Sequence, residues 1–240
     1  MQNEAGSILF KALVNVLLLL FVVHVYGADS VCYGTMSQGA LKNAVQLPAD
    51  GINFKTYSTV ARWLGRTYLH STVNDIVTAA YAQLAERDPK AKWMYGETGK
   101  RDGGPFSPHR THQNGLSVDL FVPVVNQQGE SDYLPTSAWN RYGYDIEFDK
   151  AGKYEDWRID FERLAALILA LDDAAKQRGV SISRVIFEPV YHQRLFATKR
   201  GAELQRKVSF MKTSAWVKHD EHIHVDFAVV CKSLNQYQRP

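Results

Sequence analysis

Residues 109–121 read HRTHQNGLSVDLF, and residues 219–227 read HDEHIHVDF. Five of the eight histidines of the chain lie in these two short stretches. In the later part of each stretch, polar and apolar residues alternate as they do in a strand with one buried face. The sequence therefore predicts two strands that carry histidines and carboxylates.

These residue types match the requirements of a metal site. Asp119 follows His112 with six residues between them, and His222 and His224 are two positions apart. On a strand, such a pair of histidines leaves the same face, with about 6–7 Å between the two positions. Catalytic zinc needs three imidazole or carboxylate ligands and a fourth position for water. We therefore predict that His112, Asp119 and one histidine of the pair bind zinc.

The remaining pattern predicts an α+β fold. Apolar residues recur at helical spacing over 71–88 and 159–178, and Gly179 is a stop signal for the second helix. Residues 96–108 hold four glycines and two prolines, which favours an irregular loop. We expect strands at residues 93–95, 117–125, 182–187 and 223–230, and a polar surface insertion at residues 126–157. The predicted fold is a small, mostly antiparallel sheet flanked by helices, with the zinc site at the sheet and long loops.

The composition restricts the possible partners. The chain has 28 basic and 25 acidic residues in 240, which gives a formal charge of +3. It contains no basic run with interleaved aromatic residues, so we expect no nucleic acid partner. Since no linker or repeat divides the sequence, we predict one catalytic domain over residues 28–240.

The first 27 residues are typical of a signal peptide. Lys11 precedes an apolar run of about 12 residues, which is shorter than a membrane-spanning helix. Val25 and Gly27 supply small side chains at the −3 and −1 positions of a cleavage site. We predict cleavage after Gly27 and no stable membrane insertion of the mature chain. The alternative is an uncleaved membrane anchor.

The predicted export of the chain favours a disulfide between its two cysteines. Cys32 lies just after the predicted cleavage site, and Cys231 lies nine residues before the end of the chain. Oxidising compartments favour disulfides, so we predict that this pair is bridged and joins the two ends of the mature chain. Two buried, unpaired cysteines are the alternative.

Longer motifs around these residues resemble a known family. The first block is Gly96-Glu97-x-Gly99, then Gly103-Gly104-x-Phe106, then His109-x-x-His112-Gln113-x-Gly115-Leu116-x-Val118-Asp119, and the last block is His219-x-x-His222-x-His224-Val225. Together they resemble the penicillin-insensitive murein endopeptidases. This family falls within the wider set of lysostaphin-type peptidases, D-Ala-D-Ala metallopeptidases and hedgehog-type domains. The resemblance covers residues 93–231.

The resemblance implies roles for individual residues. His112, Asp119 and His224 would be the zinc ligands, and His222 would be the general base or would stabilise the transition state. His109 and His219 would line the site. The substrate would be the D-alanyl–meso-diaminopimelyl bond in peptidoglycan cross-links, and the location would be the periplasm. Two positions depart from the family pattern, since Pro108 replaces a glycine and Ser117 replaces an acidic residue.

Several alternatives remain open at this point. Glu221, three residues before His224, has the spacing of the general base in the D-Ala-D-Ala relatives. On a regular strand Glu221 would face away from His224, which favours His222 unless the strand begins after Glu221. Asp226 could be a hydrogen-bond partner of a ligand histidine, or only a solvated or salt-bridged carboxylate. The function could also be that of a D,D-carboxypeptidase, another peptidoglycan peptidase or a non-catalytic zinc-stabilised binding module.

Overall fold

The structure is a computed structural model that describes residues 28–239. The predicted signal peptide and its cleavage site at Gly27 lie outside the described residues. The chain forms, in order, β1 (Val31–Thr35), β2 (Gln38–Lys42), β3 (Val45–Gln46), β4 (Phe54–Thr56), α1 (Thr59–Trp63), β5 (Tyr68–Leu69), α2 (Ser71–Arg87), β6 (Trp93–Tyr95), β7 (Ser117–Phe121), β8 (Val124–Val125), β9 (Ser131–Asp132), β10 (Lys153–Tyr154), β11 (Trp157–Ile159), α3 (Phe161–Lys176), β12 (Ile182–Ile186), α4 (His192–Phe196), α5 (Gly201–Lys207) and β13 (His222–Phe227). Short 3-10 helices lie at Ala138–Gly143, Pro189–Tyr191 and Leu234–Gln236.

The two histidine-rich stretches pair in the middle of a five-stranded sheet with the order β12-β13-β7-β6-β4. Neighbouring strands are antiparallel except β4 and β6, which run parallel. The register sets His224 opposite Asp119 and Asp226 opposite Ser117. Opposite residues of an antiparallel pair point to the same face of the sheet. The fold thereby brings donors about a hundred positions apart in sequence onto one surface, and the α+β prediction is confirmed.

The other face of this sheet is apolar. Val118, Leu120, Ile223 and Val225 on β7 and β13 are buried to 1% exposure or less. They belong to one hydrophobic core together with the buried residues of α2 and α3. Full burial of each such side chain contributes about 1.5–3 kcal/mol, so the core fixes the strands on which the polar face is built.

The two long helices lie within two residues of their predicted bounds. His70 is the N-cap of α2, and its Nδ1 accepts a hydrogen bond of 3.2 Å from the backbone N–H of Thr72. Asp160 caps α3 by accepting from the backbone N–H of Arg163 at 3.0 Å. Each cap satisfies a backbone donor that the first helical turn leaves without a partner.

The strand predicted over residues 117–125 is divided into β7 and β8. Pro123 lies between the two strands and has no N–H to donate to a sheet, so the chain turns there and β8 joins a second sheet. That sheet has the order β10-β11-β8-β9. Within residues 126–157, which were expected to form a polar surface insertion, this sheet contains β9, β10 and the first residue of β11.

The N-terminal hairpin of β1 and β2 supports the loop that carries His112. The backbone N–H of Gln113 donates to the carbonyl of Met36 at 2.9 Å, and that of Gly104 donates to Gly39 at 3.1 Å. The disulfide between Cys32 and Cys231 is formed, with a sequence separation of 199. The predicted pairing of Cys32 with Cys231 is confirmed.

Among residues 28–239, no helix combines the length and the apolar character that crossing a bilayer requires.

Replacing Cys32 and Cys231 together by serine should lower the free energy of unfolding by about 2–5 kcal/mol, because the bridge restricts a long loop of the unfolded chain. Urea denaturation followed by tryptophan fluorescence measures the loss. Wild-type protein unfolded with a thiol reductant is the matched control and should show the same loss. A double variant as stable as the oxidised wild type would contradict the expectation.

Candidate metal centre

The carboxylate of Asp119 lies at the middle of the polar face of the sheet and is fully buried. Its Oδ1 is 2.9 Å from Nδ1 of His224 and 3.2 Å from Nε2 of His112. Its Oδ2 accepts a hydrogen bond of 3.0 Å from the hydroxyl of Tyr144. Burial opposes the ionisation of Asp119, but the charges of nearby histidines hold its pKa well below the usual value.

Two more imidazoles approach the same carboxylate from the side of Oδ2. Nδ1 of His109 and Nε2 of His222 each lie 3.8 Å from this oxygen. Four histidines therefore surround Asp119, and all four were predicted from the two sequence stretches. The structure brings together all three predicted metal ligands and both of these predicted neighbours.

His112 has an unusual backbone conformation and an unusual environment. Its φ of 68° lies in the left-handed region, which residues other than glycine adopt only rarely. Its side chain is fully buried, and neither ring nitrogen makes a hydrogen bond to any of the residues that the structure describes. Buried polar atoms normally have a partner, so this imidazole is suited to bind a metal ion.

His224 is held between two carboxylates. Nδ1 faces Asp119, and Nε2 is 2.8 Å from Oδ1 of Asp226. Burial disfavours the charged imidazole, but hydrogen bonds to these two carboxylates raise the pKa of His224 to about 9. Asp226 also accepts hydrogen bonds from Ser117 at 2.6 Å and from Nε of Arg184 at 3.0 Å. Asp226 is therefore the hydrogen-bond partner of His224 and not a solvated carboxylate, and a partner of this kind fixes the orientation of a metal-binding histidine.

The pair formed by Glu221 and His222 lies beside the Asp119 carboxylate. Since β13 begins at His222, the alternation of side chains does not apply to Glu221, so the structure meets the condition under which strand geometry does not decide between Glu221 and His222. Its Oε1 is 2.7 Å from Nδ1 of His222. Burial raises the pKa of Glu221 well above its usual value and lowers the pKa of His222 to about 4. The His222 imidazole is consequently neutral at pH 7.

Glu97 links His109 to a buried hydrogen-bond network. Its Oε2 is 2.6 Å from Nε2 of His109, and its carboxylate also accepts from Arg66 and from the hydroxyl of Tyr57 at 2.8 Å. Burial opposes the ionisation of Glu97, but the hydrogen bonds from Arg66 and His109 lower its pKa to about 2. Sequence reasoning gave Glu97 no role, although it belongs to the first family motif.

Tyr144 is a second site residue that sequence reasoning missed. It comes from residues 126–157, and its hydroxyl donates to Asp119 and accepts from the backbone N–H of Glu97 at 2.8 Å. Gly96 makes this approach possible, because a Cβ there would lie 2.5 Å from the Tyr144 hydroxyl. No local pattern around Tyr144 signals this contact.

The site opens into a cavity of about 620 Å³. His219, which was expected to line the site, does so, and its ring lies 4.7 Å from that of His222. Burial lowers the pKa of His219 to about 3, so this imidazole is also neutral at pH 7. The cavity wall further includes His109, His222 and Glu221, so every predicted catalytic residue borders this space.

One group of the described residues could hold a metal ion. Ligand atoms of His109, His112 and Asp119 all lie within 4.8 Å of one another. His224, the third predicted ligand, is not part of this group, although its Nδ1 and Nε2 of His112 both approach the same oxygen of Asp119, Oδ1. Nitrogen and carboxylate donors of this kind are those that zinc prefers. The unpartnered nitrogens of His112 and the buried charge of Asp119 both fit a cation at this place.

Comparisons with known proteins agree with the sequence motifs. The model of a family described as penicillin-insensitive murein endopeptidase matches residues 32–238. A penicillin-insensitive murein endopeptidase of Pectobacterium atrosepticum is 23% identical over 220 residues, which cover 89% of this chain and 70% of the relative. One of Klebsiella pneumoniae is 24% identical over 211 residues, covering 87% and 70%. One of Salmonella typhi is 22% identical over 224 residues, covering 91% and 74%.

Proposed function

The chain belongs to the penicillin-insensitive murein endopeptidase family, and from this premise we propose that it is a zinc peptidase of peptidoglycan. The bond that it hydrolyses is the D-alanyl–meso-diaminopimelyl bond of the peptide cross-links. The observation that carries this proposal is the buried Asp119 carboxylate, which has histidines on both of its oxygens. A carboxylate and histidines arranged in this way can hold a metal ion that promotes the hydrolysis of an amide.

His112, Asp119 and His224 are the proposed zinc ligands. His224 is preferred over His109 because it lies on β13 directly opposite Asp119 and shares Oδ1 with His112. His109 is on a loop and faces the other oxygen, Oδ2. When bound, zinc would lower the pKa of a water molecule towards neutrality and polarise the carbonyl of the scissile amide.

His222 is the proposed general base. Its imidazole is neutral at pH 7 and borders the cavity, with Nδ1 2.7 Å from Oε1 of Glu221 and Nε2 3.8 Å from Oδ2 of Asp119. In this scheme the ring proton is on Nδ1 and is donated to the Glu221 carboxylate, so Nε2 can take a proton from the attacking water and return it to the leaving amine nitrogen. Glu221 is a positioning residue in this scheme, because its hydrogen bond fixes the tautomer and the ring orientation of His222.

His109, Tyr144 and His219 complete the proposed site. Glu97 holds Nε2 of His109, so that the ring stays beside Asp119. Donors fixed in this way can stabilise the negative charge that develops on the carbonyl oxygen. His219 borders the cavity and is placed to contact the bound peptide.

A periplasmic location and a single catalytic domain over residues 28–240 are parts of the same proposal. The disulfide between Cys32 and Cys231 supports an oxidising compartment. Peptidoglycan is accessible to an enzyme that is exported there.

Digestion of purified, cross-linked peptidoglycan tests the function directly. Zinc-loaded protein should convert cross-linked muropeptide dimers to monomers in the presence of penicillin, and a chelator should stop the reaction until zinc is restored. Mass spectrometry identifies the bond, since an endopeptidase adds one water across the cross-link and a carboxypeptidase releases free D-alanine. Release of D-alanine alone would replace this function with that of a D,D-carboxypeptidase. Absence of any product from metal-loaded protein would contradict a peptidase and favour a binding module.

Variants of His222 and Glu221 should differ in turnover. His222→Ala should lower kcat by about 10²–10⁴-fold, because it removes the proton acceptor. Glu221→Gln retains a hydrogen-bonding side chain beside Nδ1 and should lower kcat by a smaller factor. Steady-state kinetics on a cross-linked dimer measure both, with His192→Ala as a control that removes a histidine outside the cavity. If Glu221→Gln abolished turnover while His222→Ala kept much of it, Glu221 would be the base.

A further inference from the structure

A short segment with an unusual backbone borders the cavity beside Tyr144. Arg141 and Tyr142 are consecutive residues with φ of 48° and 57°, and both line the cavity. Residues other than glycine seldom adopt this left-handed conformation, and two in a row are rarer still. A backbone of this kind persists only where its surroundings hold it, and it often marks a functional position.

Hydrogen bonds within the segment hold the backbone of this turn. The side-chain oxygen of Asn140 accepts from the backbone N–H groups of Ser137 at 2.8 Å and Gly143 at 3.0 Å, and its amide donates to the carbonyl of Pro135 at 2.7 Å. The backbone N–H of Tyr142 donates to the carbonyl of Ser137 at 2.6 Å. These hydrogen bonds fix the conformation of the turn, and the turn places Arg141 at the cavity.

Among residues 28–239, three cationic side chains line this cavity, and two of them are engaged by buried carboxylates. Arg66 binds Glu97 through two nitrogens and also donates to the carbonyl of Ser107 at 2.9 Å. Lys218 lies 2.7 Å from Asp220, which is 1% exposed. Arg141, by contrast, contacts Asp145 at 3.3 Å in a pair whose side chains are 62% and 45% exposed. A pair this exposed is weak, so Arg141 is the lining cation that is free to bind a ligand.

We propose that Arg141 binds a carboxylate of the substrate next to the scissile bond. The planar guanidinium matches a carboxylate with two parallel hydrogen bonds. Each amine of diaminopimelate is on a carbon that also carries a carboxyl group, so a cross-link through one amine leaves a carboxylate on the carbon attached to the scissile nitrogen. This inference rests on the proposed function and identifies the group of the leaving residue that the cavity recognises.

The test compares two cross-linked dimers that differ only in this carboxylate, which is free in one and amidated in the other. Wild-type protein should cleave the free form with the higher kcat/KM. Arg141→Gln should lower kcat/KM on the free form by about 10- to 100-fold, mainly through KM, because a hydrogen-bonded charge is lost. It should leave cleavage of the amidated form nearly unchanged. Arg141→Lys should give an intermediate loss.

Two further variants separate recognition from folding. Arg141→Asn removes the guanidinium with a residue that tolerates the left-handed backbone, and it should lose the same preference as Arg141→Gln. Arg206→Gln makes the same change of charge on α5 and should behave as the wild type. Equal losses on both dimers, or an unchanged preference for the free form in the Arg141 variants, would overturn the assignment. Wild-type protein that cleaves neither dimer would instead overturn the proposed function itself.

Discussion

The burial of the Asp119 carboxylate is the constraint on which the rest of the site depends. A charge without a partner in this position would cost several kcal/mol, and the fold meets that cost with imidazoles on both oxygens and the hydroxyl of Tyr144. The same arrangement leaves both buried ring nitrogens of His112 without a hydrogen bond among residues 28–239, although Nε2 is 3.2 Å from Oδ1 of Asp119. A bound cation would balance the charge of Asp119 and give the His112 nitrogens a partner. The same ion would therefore stabilise this region and supply the proposed chemistry.

Parts of the chain that are remote in sequence hold this centre in place. The pairing of β7 with β13 sets Asp119 against His224, while the N-terminal hairpin braces the loop of His112. The disulfide joins that hairpin to the segment after β13. Each donor therefore depends on a different element, and the outer carboxylates Glu97 and Asp226 fix the imidazoles that approach the centre. Such support is what keeps a metal site in one geometry.

The sequence predicts the features that local patterns encode. The pattern in residues 117–125 and 223–230 predicts the strands that carry Asp119 and His224, and the predicted export favours the cysteine bridge. The orientation of Glu221 could not be predicted, because it depends on whether the strand begins one residue earlier or later, and a sequence pattern defines strand ends poorly. Tyr144 and Arg66 could not be found this way, since tertiary packing alone brings them to the site. The strained turn at Arg141 likewise depends on the hydrogen bonds of the Asn140 side chain.

Zinc binding to metal-stripped protein, followed by calorimetry, tests the central claim most directly. Wild-type protein should bind one zinc ion per chain. Asp119→Ala and His112→Ala should weaken that binding by more than the roughly 10- to 100-fold that loss of an outer hydrogen-bond partner causes. His192→Ala, which removes a histidine outside the cavity, should bind zinc as the wild type does. Wild-type protein that binds no zinc, or an Asp119→Ala variant that binds it equally well, would contradict the account.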